Sequence, residues 1–383
     1  MNRSDYADSK SVQPGAAPGL SVTKYFEKVS GMSENLDKIL EKSIEKQSLS
    51  DEDLLCLLHS EDEDSLQKIF SAAREVRCRE FGDGIFLYGF VYFSTYCRND
   101  CNFCYYRSSN QLPERYRKSR EEIIRTAVDL KESGVHLIDL TMGEDDYYLK
   151  DGERLAELVS ELKAACGIPV MVSPGVVPPA LIRRLAEAGA DWYALYQETH
   201  NRDRFKGLRL HQDYDTRMQA KQAAASCGML IEEGLLSGIG ESAEEVIHSL
   251  HIMKEMGVSQ GRSMTFVPQQ GTPMGGRQQS VFLNELKMIA VLRLYLPDIL
   301  IPASLDVDGI RGLKERLMSG ANVVTSIIPP AKGFAGVANA YQDIDEGFRT
   351  VPGVAKILDE CGLRRASLEE YAEWIEKRKK RGF

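Results

Sequence analysis

Three cysteines stand in the stretch "CRNDCNFCYYR", at Cys97, Cys101 and Cys104, with three and then two residues between them. Thiols clustered this closely in a chain kept reduced point to metal or redox chemistry rather than to disulfides. A structural zinc site takes four protein ligands, usually in two paired motifs, and no fourth thiol or histidine at suitable spacing follows. Three thiolates on a four-iron, four-sulfur cube leave one iron open, and an open iron binds a small chelating molecule. The missing fourth ligand is therefore a functional feature. The other cysteines, Cys56, Cys78, Cys166, Cys227 and Cys361, are scattered through helical stretches and read as small core hydrophobes.

A ligand loop needs a scaffold, and the rest of the chain predicts one. From Gly84 onward, short runs rich in β-branched or aromatic residues alternate with amphipathic helical stretches. The strand candidates are "IFLYGFVYFS", "HLIDLTM", "IPVMVS", "DWYALYQ", "MLIEEGLL", "SMTFV", "ILIPASL" and "NVVTSII". Helices such as "SREEIIRTAVDLKESG" and "SAEEVIHSLHIMKEMG" start at a polar cap and end at glycine. Strand then helix, repeated with short loops, implies a parallel sheet. Eight such units in roughly 250 residues predict an α/β fold, a (β/α)8 TIM-type barrel whose chemistry sits at the carboxyl ends of its strands. The cysteine loop leaves the first strand and so falls on that face.

Ahead of the barrel, residues 1–28 read as a flexible tail and residues 29–83 as an N-terminal helical extension; the barrel with its C-terminal helical segment occupies 84–383. The extension and the segment after Pro330 are expected to close the two ends of the barrel. At 383 residues, 43% of them hydrophobic, the chain suits one large domain. A net charge of −9 argues against nucleic acid, which is bound through clustered Lys and Arg, and favours a small-molecule partner. No apolar run approaches the roughly 18 residues that span a bilayer, and the polar N-terminus lacks the pattern of a signal peptide. The expectation is a cytoplasmic protein with no membrane partner.

The pattern C-x3-C-x-aromatic-C, here Cys97, Cys101, Phe103 and Cys104, resembles the signature of the radical S-adenosylmethionine (SAM) enzymes. That resemblance implies one 4Fe-4S cluster on the three cysteines and SAM on its open iron. "TMGED" after the second strand resembles the family's "GE" motif, which assigns Met142, Gly143 and Glu144 to the SAM ammonium through backbone groups. "GLLSGIGE" at the fifth strand resembles the segment that lies along the adenine, with Gly238 and Ile239 as contacts and Leu236 where the pattern has isoleucine. Ser173 at the end of the third strand, Glu198 at the end of the fourth and Arg217 on the following helix are the implied holders of the ribose and the amino-acid part of SAM.

Within that superfamily, roughly residues 85–345 resemble the methylornithine synthases of pyrrolysine biosynthesis. The stretches that carry this are "FVYFSTYCRNDCNFCYYR", "DLTMGEDDYY", "ALYQETH", "MTFVPQQGTP", "LIPASLDVDGI" and "GANVVTSIIPP". The resemblance implies L-lysine as substrate. A 5′-deoxyadenosyl radical would take hydrogen from carbon 4, and fragmentation with recombination would give (3R)-3-methyl-D-ornithine. It also implies an electron donor such as flavodoxin or ferredoxin. Asp139 on the second strand, Arg262 at the start of the sixth, and Ser304 and Asp306 at the end of the seventh are the implied substrate contacts. One guanidinium for a carboxylate and two carboxylates for ammonium groups match a diamino acid. Biotin synthase and the radical maturase of iron-iron hydrogenase share the architecture. Where biotin synthase has a cysteine for a second cluster this chain has Glu232, which argues against sulfur insertion. The alternatives are another biotin-synthase-like enzyme acting on a small amino acid, and a non-catalytic iron-sulfur or zinc redox sensor.

Overall fold

Strand β1, Gly84–Ser94, is buried along its whole length, and its alternation shows why. Phe86 and Tyr88 point into a closed interior with Leu137, Met171, Trp192 and Val323. Ile85, Leu87, Val91 and Phe93 point outward into a layer shared with the surrounding helices. A strand covered on both faces reads as a continuous apolar run. The computed structural model describes residues 35–329 and 348–381; the expected tail lies outside the described residues.

Seven further strands follow: β2 Leu137–Met142, β3 Val170–Ser173, β4 Trp192–Ala194, β5 Leu230–Ser237, β6 Gln260–Thr265, β7 Pro302–Ser304 and β8 Val323–Ile327. They form one parallel sheet in the order β6-β5-β4-β3-β2-β1-β8-β7. The two ends of that order meet through a single bridge between Gln260 and Leu300, so the barrel is nearly closed. Beyond the bridge the β6/β7 seam is spanned by side chains. Thr265 donates to Glu285, Arg316 donates to Glu285 at 2.5 Å, and Arg316 reaches Asp308 at 2.9 Å. The fold is thus the expected α/β TIM-type barrel. The connecting helices carry the expected caps: Ser119 and Glu122 form a capping box before Arg120–Ser133, as do Ser242 and Glu245 before Ala243–Glu255.

Two local expectations change. The run "DWYALYQ" contributes only Trp192–Ala194 to the ladder, because the chain then turns away and touches the sheet again at Glu198, which bridges to Leu235 with a left-handed φ of 69°. Arg262 is the third residue of β6 rather than its first, since the ladder begins at Gln260.

Of the two expected end closures, the C-terminal one is present and the N-terminal one is not. A short strand β9, Arg364–Arg365, pairs with the start of β1 and leads into helix Leu368–Arg381, which plugs the amino end of the barrel. Trp374 stacks on Trp192 with ring centroids 5.9 Å apart, and the Tyr371 hydroxyl donates to that of Tyr88 at 2.7 Å. The N-terminal helices, 35–44, Asp51–His59 and Glu63–Phe81, close neither end. They lie on the flank against helix Phe282–Tyr295, tied by Ser43 to the Leu294 carbonyl (2.6 Å) and by Lys287 to that of Leu58 (2.6 Å). Covered on both sides, "FLNELKMIAVLRLY" is buried almost all round, which explains its lack of a polar face. Among the described residues no helix is long and apolar enough to cross a membrane.

Candidate active site

The carboxyl end of the barrel opens into a cavity of about 280 Å³, and thirteen of the fifteen residues singled out from the sequence line it. They are Cys97, Cys101, Cys104, Asp139, Met142, Gly143, Glu144, Ser173, Glu198, Arg217, Arg262, Ser304 and Asp306. Gly238 and Ile239 do not. They sit behind its wall: Ile239 packs with Leu236, Phe266 and Leu208, while the carboxylate of Glu241 accepts from the backbone N–H of Gly238 (2.8 Å) and Ile239 (2.9 Å). Glu241 thereby closes its own turn.

The cysteine loop is fixed from three directions. Arg98 N–H donates to the Glu144 carbonyl after β2 (3.0 Å), Asn102 N–H to the Leu208 carbonyl after β4 (2.8 Å), and Met274 N–H, after β6, to the Asn102 carbonyl (3.1 Å). Gly143 makes the first approach possible, because a Cβ there would stand 2.3 Å from the Tyr96 carbonyl and 2.9 Å from Cys97 Cβ. Burial pushes the Cys97 thiol up to about 11, and the nearby Cys101 sulfur adds to it. Cys104 is raised by burial and then by the charges of Cys101 and Cys97. Three thiolates therefore repel one another here unless a cationic centre relieves them. Among the described residues no three His, Cys, Asp or Glu side chains converge tightly enough for one metal ion. Separated thiols around one cavity instead suit a cluster, in which each bonds a different iron.

Beside the thiols lies a group of buried charges. Arg209 donates to Glu198 at 2.6 Å, and Arg217 lies 3.5 Å from Glu144, which also accepts from Val176 N–H (3.1 Å) and Arg98 (3.2 Å). Glu198 Oε2, Arg209 Nε and Arg217 Nε are buried without a hydrogen-bond partner. Such atoms are costly unless a ligand satisfies them, and a zwitterionic amino-acid group offers both an ammonium and a carboxylate. Burial lowers Arg217 to about 10, with the Arg209 charge adding to the effect, and a carboxylate would relieve both. Met142 has a split role in the packing: its side chain belongs to the outer core while the residue's cavity side completes the wall.

Deeper in the barrel, inward-facing residues of β2, β5 and β6 meet. Arg262 Nε donates to Glu232 at 2.8 Å and its Nη1 to Thr325 Oγ1 at 3.2 Å; Glu232 also accepts from the Tyr196 hydroxyl (3.0 Å). Asp139 is pushed up to about 7 by burial and then by the Glu232 charge, against a hydrogen bond from Thr141 and the attraction of Arg262. Asp306 follows β7 and is held by Arg349 at 3.2 Å, whose Nε donates to the Ser326 carbonyl (3.1 Å). Ser326, the penultimate residue of β8, has a left-handed φ of 66° and lies 3.4 Å from Ser304 across their hydroxyls.

Arg209, Gln212, Arg349 and the pairing role of Glu232 escaped the sequence. The first three lie in no motif and are brought to the site only by the loops after β4 and β8. Glu232 was visible only as the residue that replaces a cysteine, yet period-two alternation alone assigns it and Glu233 to opposite faces of β5.

The sequence pattern of the Radical SAM superfamily matches residues 91–257. The 3-methylornithine synthase of Methanosarcina acetivorans is 46% identical over 339 residues, which cover 88% of this chain and 97% of that protein. The chain belongs to the radical SAM superfamily. The FeFe hydrogenase maturase subunit HydE of Thermotoga maritima is 31% identical over 290 residues, covering 75% of this chain and 82% of that protein. A crystal structure of methylornithine synthase (PylB) superposes with a TM-score of 0.84 at 44% identity, covering 88% of this chain and 99% of that one. Radical SAM enzymes use a 4Fe-4S cluster with SAM, and this chain is an enzyme of that kind.

Proposed function

We propose that this radical SAM enzyme isomerises L-lysine to (3R)-3-methyl-D-ornithine, with Cys97, Cys101 and Cys104 holding a single cluster and an electron donor such as flavodoxin or ferredoxin supplying electrons in the cytoplasm. The observation that carries the reading is the match to 3-methylornithine synthase along 97% of that protein's length. The charges of the cavity support it. With all groups ionised, Arg262 and Arg349 face Asp139, Glu232 and Asp306, so the pocket holds one negative charge in excess. Lysine, with two ammonium groups and one carboxylate, carries one positive charge in excess.

When bound, the cluster and SAM supply a one-electron reductive cleavage that generates a carbon radical able to abstract hydrogen. The chain's own residues bind, orient and exclude water. Arg262 is held by Glu232 and Thr325 and turns a further N–H toward the substrate carboxylate, while Asp139 and Asp306 receive the ammonium groups. Met142, Gly143, Glu144, Ser173, Glu198, Arg217, Gly238 and Ile239 are assigned to SAM, the last two through the backbone that seats the adenine wall. To these we add Arg209, whose buried Nε and ion pair to Glu198 place a second guanidinium at the same charged group. The plug formed by Tyr371, Trp374 and Ile375 keeps water from entering through the amino end, where it would quench reactive fragments.

The test is anaerobic reconstitution with iron and sulfide, reduction, and addition of SAM while the paramagnetic spectrum is followed. A spectrum that changes on adding SAM is expected; an unchanged spectrum would favour a redox sensor without a SAM site.

A further inference from the structure

Gln212 occupies the bend between helices Arg202–Leu208 and Tyr214–Ser226 and lines a recess next to the cavity, with Arg98, Glu144 and Arg217. Its Nε2 donates to Cys101 Sγ at 3.0 Å, and its Oε1 accepts from Arg217 Nη1 at 3.1 Å and Arg209 Nη1 at 3.5 Å. These partners fix the amide: only the oxygen can face two guanidiniums, so the NH2 must face the sulfur. The bend itself is rigid. Gln212 N–H donates to the Arg209 carbonyl (3.2 Å), and the neighbouring Asp213 caps the next helix through Thr216 N–H (2.7 Å). Arg209 Nη1 adds a longer approach to the same sulfur at 3.6 Å.

We propose that Gln212 is a positioning residue that raises the reduction potential of the cluster through its hydrogen bond to the Cys101 sulfur. The proposal rests on the reading of Cys101 as a cluster ligand. Reduction adds negative charge that spreads onto the ligating sulfurs, so an N–H aimed at one of them stabilises the reduced cluster more than the oxidised one. Because the same amide is gripped by two arginines that face the SAM amino-acid group, its aim at the sulfur is set by the residues that hold SAM.

The experiment titrates the reconstituted protein, without SAM, against a low-potential reductant while the signal of the reduced cluster is followed. Gln212→Leu removes donor and acceptor together. Gln212→Glu keeps the length and the acceptor toward the arginines but puts a carboxylate where the donor was. Both variants are expected to keep about four irons per chain and to reduce at a more negative potential than the parent, Gln212→Glu the more so. An unchanged potential in both, with the cluster intact, overturns the proposal. So does a shift confined to Gln212→Leu, which would trace the effect to the arginine contacts, and so does loss of the cluster in both variants with the fold retained, which would make Gln212 an assembly requirement. A parent protein that takes up no cluster on its three cysteines would instead overturn the reading beneath the proposal.

Discussion

On the cluster side of the cavity, all three thiols come from one loop, Cys97–Cys104, pinned by backbone bonds to the loops after β2, β4 and β6. On the substrate side, Asp139, Glu232, Arg262 and Asp306 come from four separate strands or strand ends; Glu232, Arg262 and Asp306 are held by side chains from other elements, and Asp139 by Thr141 of its own strand. The first arrangement is a cassette whose chemistry is written in local spacing. The second exists only once the barrel has closed. Damage to the first should abolish the cofactor outright, whereas damage to the second should grade with the charge that is left unpaired.

The largest effect is expected on the cassette. Cys97→Ala, Cys101→Ala and Cys104→Ala should each lose the cluster completely, while Cys166→Ala and Cys227→Ala keep it; iron and sulfide content of the purified variants decides this. Cys166 is buried in the outer core and Cys227 packs against it, away from the cavity. A full cluster in any of the first three would break the comparison at its root.

Next come Arg262→Lys and Asp306→Asn. Truncating one partner of a desolvated charge pair costs about 2 to 5 kcal/mol, which at about 1.4 kcal/mol per factor of ten is roughly two to three orders of magnitude in lysine use. Arg262→Lys cannot keep both the Glu232 bond and a bidentate grip on a carboxylate. Both variants should bind SAM as the parent does. If SAM affinity falls in step with lysine-dependent deoxyadenosine formation, the two sides are one site.

A smaller, pH-dependent effect belongs to Asp139. Its carboxyl titrates near 7 in the folded chain against 3.8 for an ordinary aspartate, chiefly through burial. An ammonium is bound by the ionised form, so the lysine KM should fall by about tenfold between pH 6 and pH 8, and Asp139→Asn should flatten that profile. The sign for stability is the reverse. The folded state holds this proton more tightly, so without substrate stability is lost as pH rises from the ordinary carboxylate range to about 7. Thermal unfolding should therefore show Asp139→Asn gaining on the parent at pH 8 relative to pH 5.

The smallest effect on the cofactor is expected from Glu232→Gln. Iron content should stay at about four per chain, because Glu232 serves Arg262 and Tyr196 rather than a second cluster. Lysine use should weaken as Arg262 loses its partner. Chelation-resistant iron well above that content would contradict the single-cluster reading.

The same contrast explains what the sequence revealed. The barrel was legible because eight apolar runs alternate with capped amphipathic helices, and Ser119 and Ser242 mark helix starts by local chemistry alone. The cysteine loop was legible for the same reason. Arg209, Gln212 and Arg349 were not, since each lies in a loop whose path depends on tertiary contacts. The flank position of the N-terminal helices was hidden too: it follows from the all-round burial of Phe282–Tyr295, and an apolar helix does not say what covers its outer face. The short β4 escaped because "YALYQ" has strand propensity that the turn at Glu198 overrides.

The central claim is the conversion itself. The reconstituted protein, reduced anaerobically and given SAM with L-lysine, should consume lysine and form a product of the same mass that chromatography against a synthetic standard identifies as (3R)-3-methyl-D-ornithine. Recovery of unchanged lysine beside a cluster that binds SAM normally, or a product of different mass, would contradict it.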